Sequence, residues 1–155
     1  MPDPRPATDP RPRRFVFVLL PDFTLLSFSA ALEALRIANR MADRPLYSWV
    51  LTGAEGDSIS CSAGVPVRLD CPLPELSRDD TVLVCGGLDV HLGTTRKLLN
   101  WLRREARRGL TIGGLCTAAW TLARAGLLDG KRATIHWENH DSFAEEFEEV
   151  TLTKQ

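Results

Sequence analysis

Cys116 stands in the stretch Thr111-Ile112-Gly113-Gly114-Leu115-Cys116-Thr117-Ala118-Ala119-Trp120, where a short apolar run ends in glycines and passes through one cysteine into an alanine-rich helical pattern. A side chain can be thrust out of a tight strand-to-helix turn only where the residues two positions either side are small. Gly114 and Ala118 meet that condition, which is the layout of a nucleophile elbow. A cysteine opening a helix faces free backbone N–H groups and the positive end of the helix dipole, and both favour thiolate over thiol. His136 closes the next predicted strand and is the candidate base or ion-pair partner. The N–H groups of Gly87, after a strand end, and of Thr117, after the nucleophile, are the candidate oxyanion donors. Such a set would make a cysteine hydrolase; the same residues without turnover would line a binding pocket.

These residues need a scaffold, and the hydrophobic pattern supplies one. Met1 to Arg14 alternates proline with charged residues, which predicts a disordered tail. Phe15 to Leu20 is a continuous apolar run, as expected of a parallel strand buried on both faces. Leu25, Phe28, Leu32 and Leu35 recur at helical spacing and predict an amphipathic helix from Thr24 to about Ala42. Strands are predicted at Leu46 to Thr52, as a short pair within Ser58 to Leu69, at Thr81 to Cys85 and at Leu110 to Leu115, with a loop at Pro72-Leu73-Pro74. Helices are predicted at Thr95 to Arg108 and Thr117 to Ala125. A strand from Arg132 to His136, a short helix from Asp141 to Phe147 and a strand from Val150 to Thr153 follow.

Strands alternating with helices, several of them uniformly apolar, imply an open, mostly parallel α/β sheet with helices on both faces. Ligands in such sheets bind beyond the carboxyl ends of the strands. Those ends carry Asp22, Gly86 and Gly87, Cys116 and Thr117, and His136 and Trp137, which together form the candidate ligand site.

At 155 residues, 44% hydrophobic and 25% charged, the chain has the composition of one soluble globular domain. With 19 basic against 20 acidic residues its net charge is -1, too small to draw it to nucleic acid or to an anionic membrane. Contact with DNA would need a separate domain. Cys61, Cys71, Cys85 and Cys116 fit neither a zinc pattern nor a secreted disulfide scaffold, so they read as reduced thiols of a cytoplasmic protein without metal or cofactor. No apolar run is long enough to span a bilayer.

The order of strand, Gly86-Gly87, helix, strand, Gly114-Leu115-Cys116-Thr117, helix and Ala133-Thr134-Ile135-His136-Trp137 resembles the class I glutamine amidotransferase-like superfamily in its PfpI/ThiJ branch. The phrases Phe28 to Arg40 and Cys116 to Gly130 bring it nearest to the N-terminal sensory domain of GlxA-type regulators of the AraC family, over residues 15–155. The resemblance implies a flavodoxin-like domain that dimerises, binds a small-molecule effector and works with a helix-turn-helix domain on DNA. Family domains continue past the strand at Val150 to Thr153, so the expectation is a domain truncated at its C-terminus. Regulators with a phrase like Phe28 to Arg40 include sensors of quaternary amines and basic amino acids, which points to a small nitrogenous effector.

Enzymes of the PfpI branch commonly carry a histidine directly after the cysteine and an acid in the loop after the first strand. Here Thr117 follows the cysteine and the loop reads Asp22-Phe23-Thr24-Leu25-Leu26-Ser27, where Asp22 could serve only if it turned inward. The leading expectation is therefore a ligand-sensing, dimerising domain with a degenerate pocket. The alternative is an active cysteine hydrolase or lyase using Cys116 and His136. Among the remaining candidates, Trp137 is placed to meet a cationic ligand face-on. His91 and His140 read as surface or capping residues, Glu33 as a solvated carboxylate with a pocket role open to it, and the arginines of Thr95 to Arg108 as a solvated helix face.

Overall fold

The structure, a computed structural model, describes residues 11–153. Its frame is a five-stranded sheet built from β1 (Arg13–Leu19), β2 (Tyr47–Gly53), β5 (Cys71–Pro72), β6 (Thr81–Cys85) and β7 (Thr111–Leu115). The order is β5-β2-β1-β6-β7, and every pairing is parallel. β1 lies at the centre, with Phe15 opposite Trp49 on one side and Thr81 on the other.

The apolar run in β1 is continuous because both its faces are covered. Val16 and Val18 join Val82 and Val84 beneath α2 (Val90–Gly93), α3 (Arg96–Arg107) and α4 (Ala118–Arg124), where Val90, Leu98, Trp101, Leu102 and Leu122 pack. Phe17 and Leu19 face the other way, toward Phe28 and the half-buried Leu25, Leu32 and Leu35 of α1 (Leu25–Ala42). The expected open parallel sheet with helices on both faces is what the chain forms, including the strand-turn-helix at Cys116.

Several boundaries differ from expectation. Most of the tail expected over residues 1–14 lies outside the described residues, but Arg13 and Arg14 already belong to β1. Arg14 is held there because its guanidinium reaches Asp80, Nε to Oδ1 at 3.1 Å and Nη2 to Oδ2 at 2.6 Å. The expected loop at Pro72 begins as strand: Cys71 pairs with Thr52 and Pro72 with Gly53. Proline is tolerated there because β5 is an edge and one side needs no donor. The short pair forms as β3 (Ser58–Ser60) antiparallel to β4 (Pro66–Arg68).

A larger correction concerns the C-terminal third. The strand expected from Arg132 to His136 is only β8 (Arg132–Ala133), and it pairs with β9 (Thr151–Leu152) apart from the main sheet. Ile135 turns instead into a separate cluster with Ala119, Ala123, Phe143 and Val150. The chain then forms a 3-10 turn at Trp137–Asn139 and α5 (His140–Glu146). His136 therefore lies in a loop, outside the central sheet.

The α3 arginines are not merely a solvated face. Glu105 is fully buried and is held by Arg104 and Arg108, while Arg103 donates to the carbonyl oxygens of Arg124 and Ala125 at the end of α4. Burial alone would push the Asp80 carboxyl up, but hydrogen bonds from Arg14 and the Ser77 N–H, together with the Arg14 charge, hold it below the ordinary carboxylate value of 3.8. A depressed carboxylate stabilises the fold fully above its unfolded value and loses that contribution as pH falls through the native one. Asp80→Asn is expected to lower unfolding free energy near neutral pH by about 1 to 2 kcal/mol. Urea titrations should show the gap from the parent chain closing below the carboxylate value of 3.8.

Candidate functional site

Gly86 and Gly87 follow β6 where three chain segments meet. A Cβ on Gly86 would stand 2.6 Å from both Ala118 N and Thr117 Oγ1, and one on Gly87 would strike the Asp22 carbonyl oxygen and lie 2.7 Å from Thr24 N. Glycine is required here by close approach. The approach lets Thr24 N–H donate to the Gly86 carbonyl at 2.9 Å and Leu88 N–H donate to the Asp22 carbonyl at 3.1 Å. Thr117 Oγ1 donates to the Gly87 carbonyl at 2.7 Å, tying the third segment to the other two.

The elbow forms as its small neighbours predict. Cys116 has φ of 57°, in the left-handed region, where the other non-glycine residues recorded are Asp22, Asp43 and Asp89. Short polar aspartates visit that region readily and a cysteine does not, which costs of order 1–3 kcal/mol. A Cβ on Gly114 would lie 3.2 Å from Ala118 Cβ, so the spacing of small residues is a steric need.

Beyond these strand ends lies a cavity of about 430 Å³. Cys116, Thr117, Gly87 and His136, all singled out in the sequence, line it together. Gly86 is buried behind the wall and sets its spacing. Asp22 does not line it: the residue is exposed and contributes its backbone, so the inward acid required for catalysis is not supplied there. Trp137 is 73% exposed and also outside the lining, its ring tilted against His136 with centroids 5.8 Å apart. The departure of the chain from a strand after Ala133 carries it outward.

Residues outside the candidate ligand site of the sequence complete the wall: Thr24, Ser62, Leu88, Asp89, Val90, His91, Glu138 and Asn139. Thr24 is the most informative. It is the N-cap residue of α1, yet its hydroxyl makes no cap bond and instead meets Cys116 Sγ at 3.6 Å, where either group can donate. A neutral hydroxyl therefore sits beside the thiol. Its position in the loop after the first strand, where enzymes of the PfpI branch carry an acid, was the available signal. His91, expected as a surface or capping residue, lines the cavity and meets Trp120 edge-on at 6.4 Å. His140 does act locally, its Nε2 standing 3.0 Å from the Ile135 carbonyl oxygen.

His136 shares the cavity with Cys116, but no hydrogen bond joins them among the described residues; its Nδ1 lies 3.9 Å from Glu138 Oε2. Glu33 has no place in the pocket, being exposed and paired with Arg36 on α1. Among the described residues, no three His, Cys, Asp or Glu side chains come together as a metal cradle.

The DJ-1/PfpI family model matches residues 13–152, nearly all of what the structure describes. The chain belongs to the DJ-1/PfpI family. Within it the chain is 42% identical over 142 residues to the HTH-type transcriptional regulator CdhR of Pseudomonas aeruginosa, covering 91% of this chain and 42% of the regulator. It is 39% identical over 136 residues to the HTH-type transcriptional regulator GlxA of Rhizobium meliloti, covering 87% and 42%. The chain thus spans about two fifths of the length of these regulators. Among solved structures it is similar to an AraC family transcriptional regulator from Pseudomonas putida, with a TM-score of 0.79, 31% identity and coverage of 93% of this chain and 77% of that one.

A DJ-1/PfpI elbow with a hydroxyl beside the thiol can hydrogen-bond a ligand, and among the described residues no base is hydrogen-bonded to the sulfur. The thiols differ sharply in access. Burial pushes the Cys85 thiol up to about 12, and Cys61 is also buried, whereas Cys116 and Cys71 are partly exposed. Iodoacetamide is expected to modify Cys116 and Cys71 in the native protein and to reach Cys61 and Cys85 only after unfolding, as read by peptide mass spectrometry. Gly87→Ala is expected to cost about 2 to 3 kcal/mol in urea unfolding, because the methyl group must separate two hydrogen-bonded backbones.

Proposed function

We propose that this chain is the ligand-sensing and dimerising domain of a transcriptional regulator, with the cavity at Cys116 as its effector site. The reading is supported by similarity to helix-turn-helix regulators over most of the chain. The observation that carries it is the thiol's partner. Cys116 Sγ is met by the Thr24 hydroxyl, and the carboxylates of Asp89 and Glu138 stand elsewhere in the wall, where they can serve a ligand.

Among the described residues the lining contains those two carboxylates and no lysine or arginine, which supports an effector that carries a cationic nitrogen, such as an amino acid or a quaternary amine. A cavity of about 430 Å³ suits a molecule of that size. Hydroxyls of Thr24, Ser62 and Thr117 and the amide of Asn139 offer polar contacts for its remaining groups. His136, Glu138 and Asn139 belong to the C-terminal segment, while Thr24, Gly87 and Cys116 lie in the loops that follow β1, β6 and β7, so a ligand between them would bias how the two sit. An effector signals only if it binds one arrangement more tightly than another. DNA contact is assigned to a helix-turn-helix domain outside these 155 residues.

The elbow and the shared cavity of Cys116 and His136 favour a second reading, a cysteine hydrolase or lyase. One screen separates them. Under the sensing reading, thermal-shift and calorimetric screening of amino acids, betaines and related amines should find a ligand that, at a hundred times its Kd, raises Tm by roughly 5 to 10 °C. Asp89→Asn and Glu138→Gln should each weaken it about tenfold, and Cys116→Ser should leave binding in place. Failure of all amines to bind would overturn the effector class. Turnover of any screened compound that Cys116→Ser abolishes would establish the enzyme instead.

A further inference from the structure

Among the described residues seven large apolar side chains are exposed, and five of them stand beside the cavity wall. Leu88, 62% exposed, lines the cavity itself. Leu26 follows the lining residue Thr24 by two positions, Val65 follows Ser62 by three, and Leu92 and Trp137 directly follow His91 and His136. Three residues of extended chain reach at most about 11 Å, so each of these side chains is near the wall. The other two, Ile37 and Met41, lie farther along α1. Four of the five segments that build the wall thus carry exposed apolar surface next to it, Cys116 and Thr117 forming the exception. Single exposed leucines are ordinary on a protein surface, whereas several gathered about one concavity mark a binding surface.

The order of residues along the wall says what covers this collar. Leu88 is followed at once by Asp89, and Trp137 by Glu138, so each carboxylate of the lining adjoins an exposed apolar side chain. Trp137 is held against His136, ring centroids 5.8 Å apart, which keeps its apolar surface beside an imidazole of the wall. A cationic nitrogen placed at these carboxylates therefore has apolar surface within one residue on two separate segments. A bare amine would leave that surface in water. A hydrocarbon substituent on the nitrogen would cover it, and every methylene so covered adds to the affinity.

The collar is continuous with the cavity, because Leu88 belongs to both. One molecule can reach both only if it has a charged end to enter the cavity of about 430 Å³ and an apolar end to remain at its rim. We infer that the apolar collar is part of the effector site and that the effector is an amphiphilic amine, its cationic nitrogen at Asp89 and Glu138 and its hydrocarbon substituent over Leu88 and Trp137. The inference rests on the sensing reading of the cavity and narrows the chemical class of its effector.

The probe is a series of alkyltrimethylammonium ions, from tetramethylammonium to the octyl member, titrated calorimetrically into the chain. Kd should fall about two- to fourfold for each added methylene, and the heat capacity change of binding should grow more negative along the series. Leu88→Ser and Trp137→Ser should each cut the logarithmic slope against chain length by half or more, while Ile37→Ser, an exposed apolar site away from the cavity, should keep it. Asp89→Asn should weaken all members by one common factor, about tenfold, without changing the slope. Octanoate, with a similar tail and the opposite charge, should not compete. If Leu88→Ser does not fold, Trp137→Ser still reads the slope. Should no member bind, the cationic-effector reading itself falls and this inference with it. Should tetramethylammonium bind and the octyl ion bind no better, or the slope survive both substitutions, this inference alone is overturned. It is overturned likewise if the two substitutions leave the slope intact and instead change the sedimentation mass from that of the parent chain, for the collar is then covered by a second copy.

Discussion

Two adjacent glycines let the backbones of three segments come closer than a single methyl group would allow. Gly86 admits Thr117 and Ala118, and Gly87 admits Asp22 and Thr24. Through that contact the loop after β1 and the elbow after β7 become one wall, although they are separated by more than ninety residues (Thr24 to Cys116). Hydrogen bonds of Thr24 and Leu88 across it then fix the start of α1, and the diverted Thr24 hydroxyl meets the thiol. The site exists because main chain, rather than side chain, fills the space between strand ends.

The sheet distributes the remaining work between its two ends. The carboxyl end is polar, concave and conformationally costly, with Cys116, Asp22 and Asp89 all at positive φ. The amino end is tied down: Arg14 and Asp80 close it with two hydrogen bonds, and Asp80 also takes the Ser77 N–H. Fully buried apolar side chains on both faces of β1 join the ends, so strain at the cavity is carried by a rigid middle.

Replacing an acid by a hydroxyl beside the sulfur changes what the cavity is suited to do. A carboxylate there would organise proton transfer, whereas threonine can exchange a hydrogen bond and no more. Negative charge is present in the wall, at Asp89 and Glu138, but the hydrogen bond of the thiol goes to Thr24. Fold and elbow alone do not confer activity. That separation of thiol and carboxylate is the physical basis for reading this member of the DJ-1/PfpI family as a sensor.

Sequence by itself determined whatever depends on local pattern. The unbroken apolar run of β1 required two covered faces, the small residues at 114 and 118 required an elbow, and the paired glycines marked a strand end at the site. What it left open involved side chains whose direction is set by distant neighbours. Asp22 was a candidate by position, yet it is turned outward because its backbone is engaged with Leu88 and Ser60. Thr24 reads in the sequence as the first residue of a helix, and only the arrival of the elbow beside it gives its hydroxyl a partner. Trp137 looked like a pocket wall because a strand to His136 was expected, but the ladder stops at Ala133 and Ile135 is buried against Phe143 and Val150. Tertiary structure decided these cases because a residue's type and spacing specify what it can bond, and only the packed chain specifies what lies within reach.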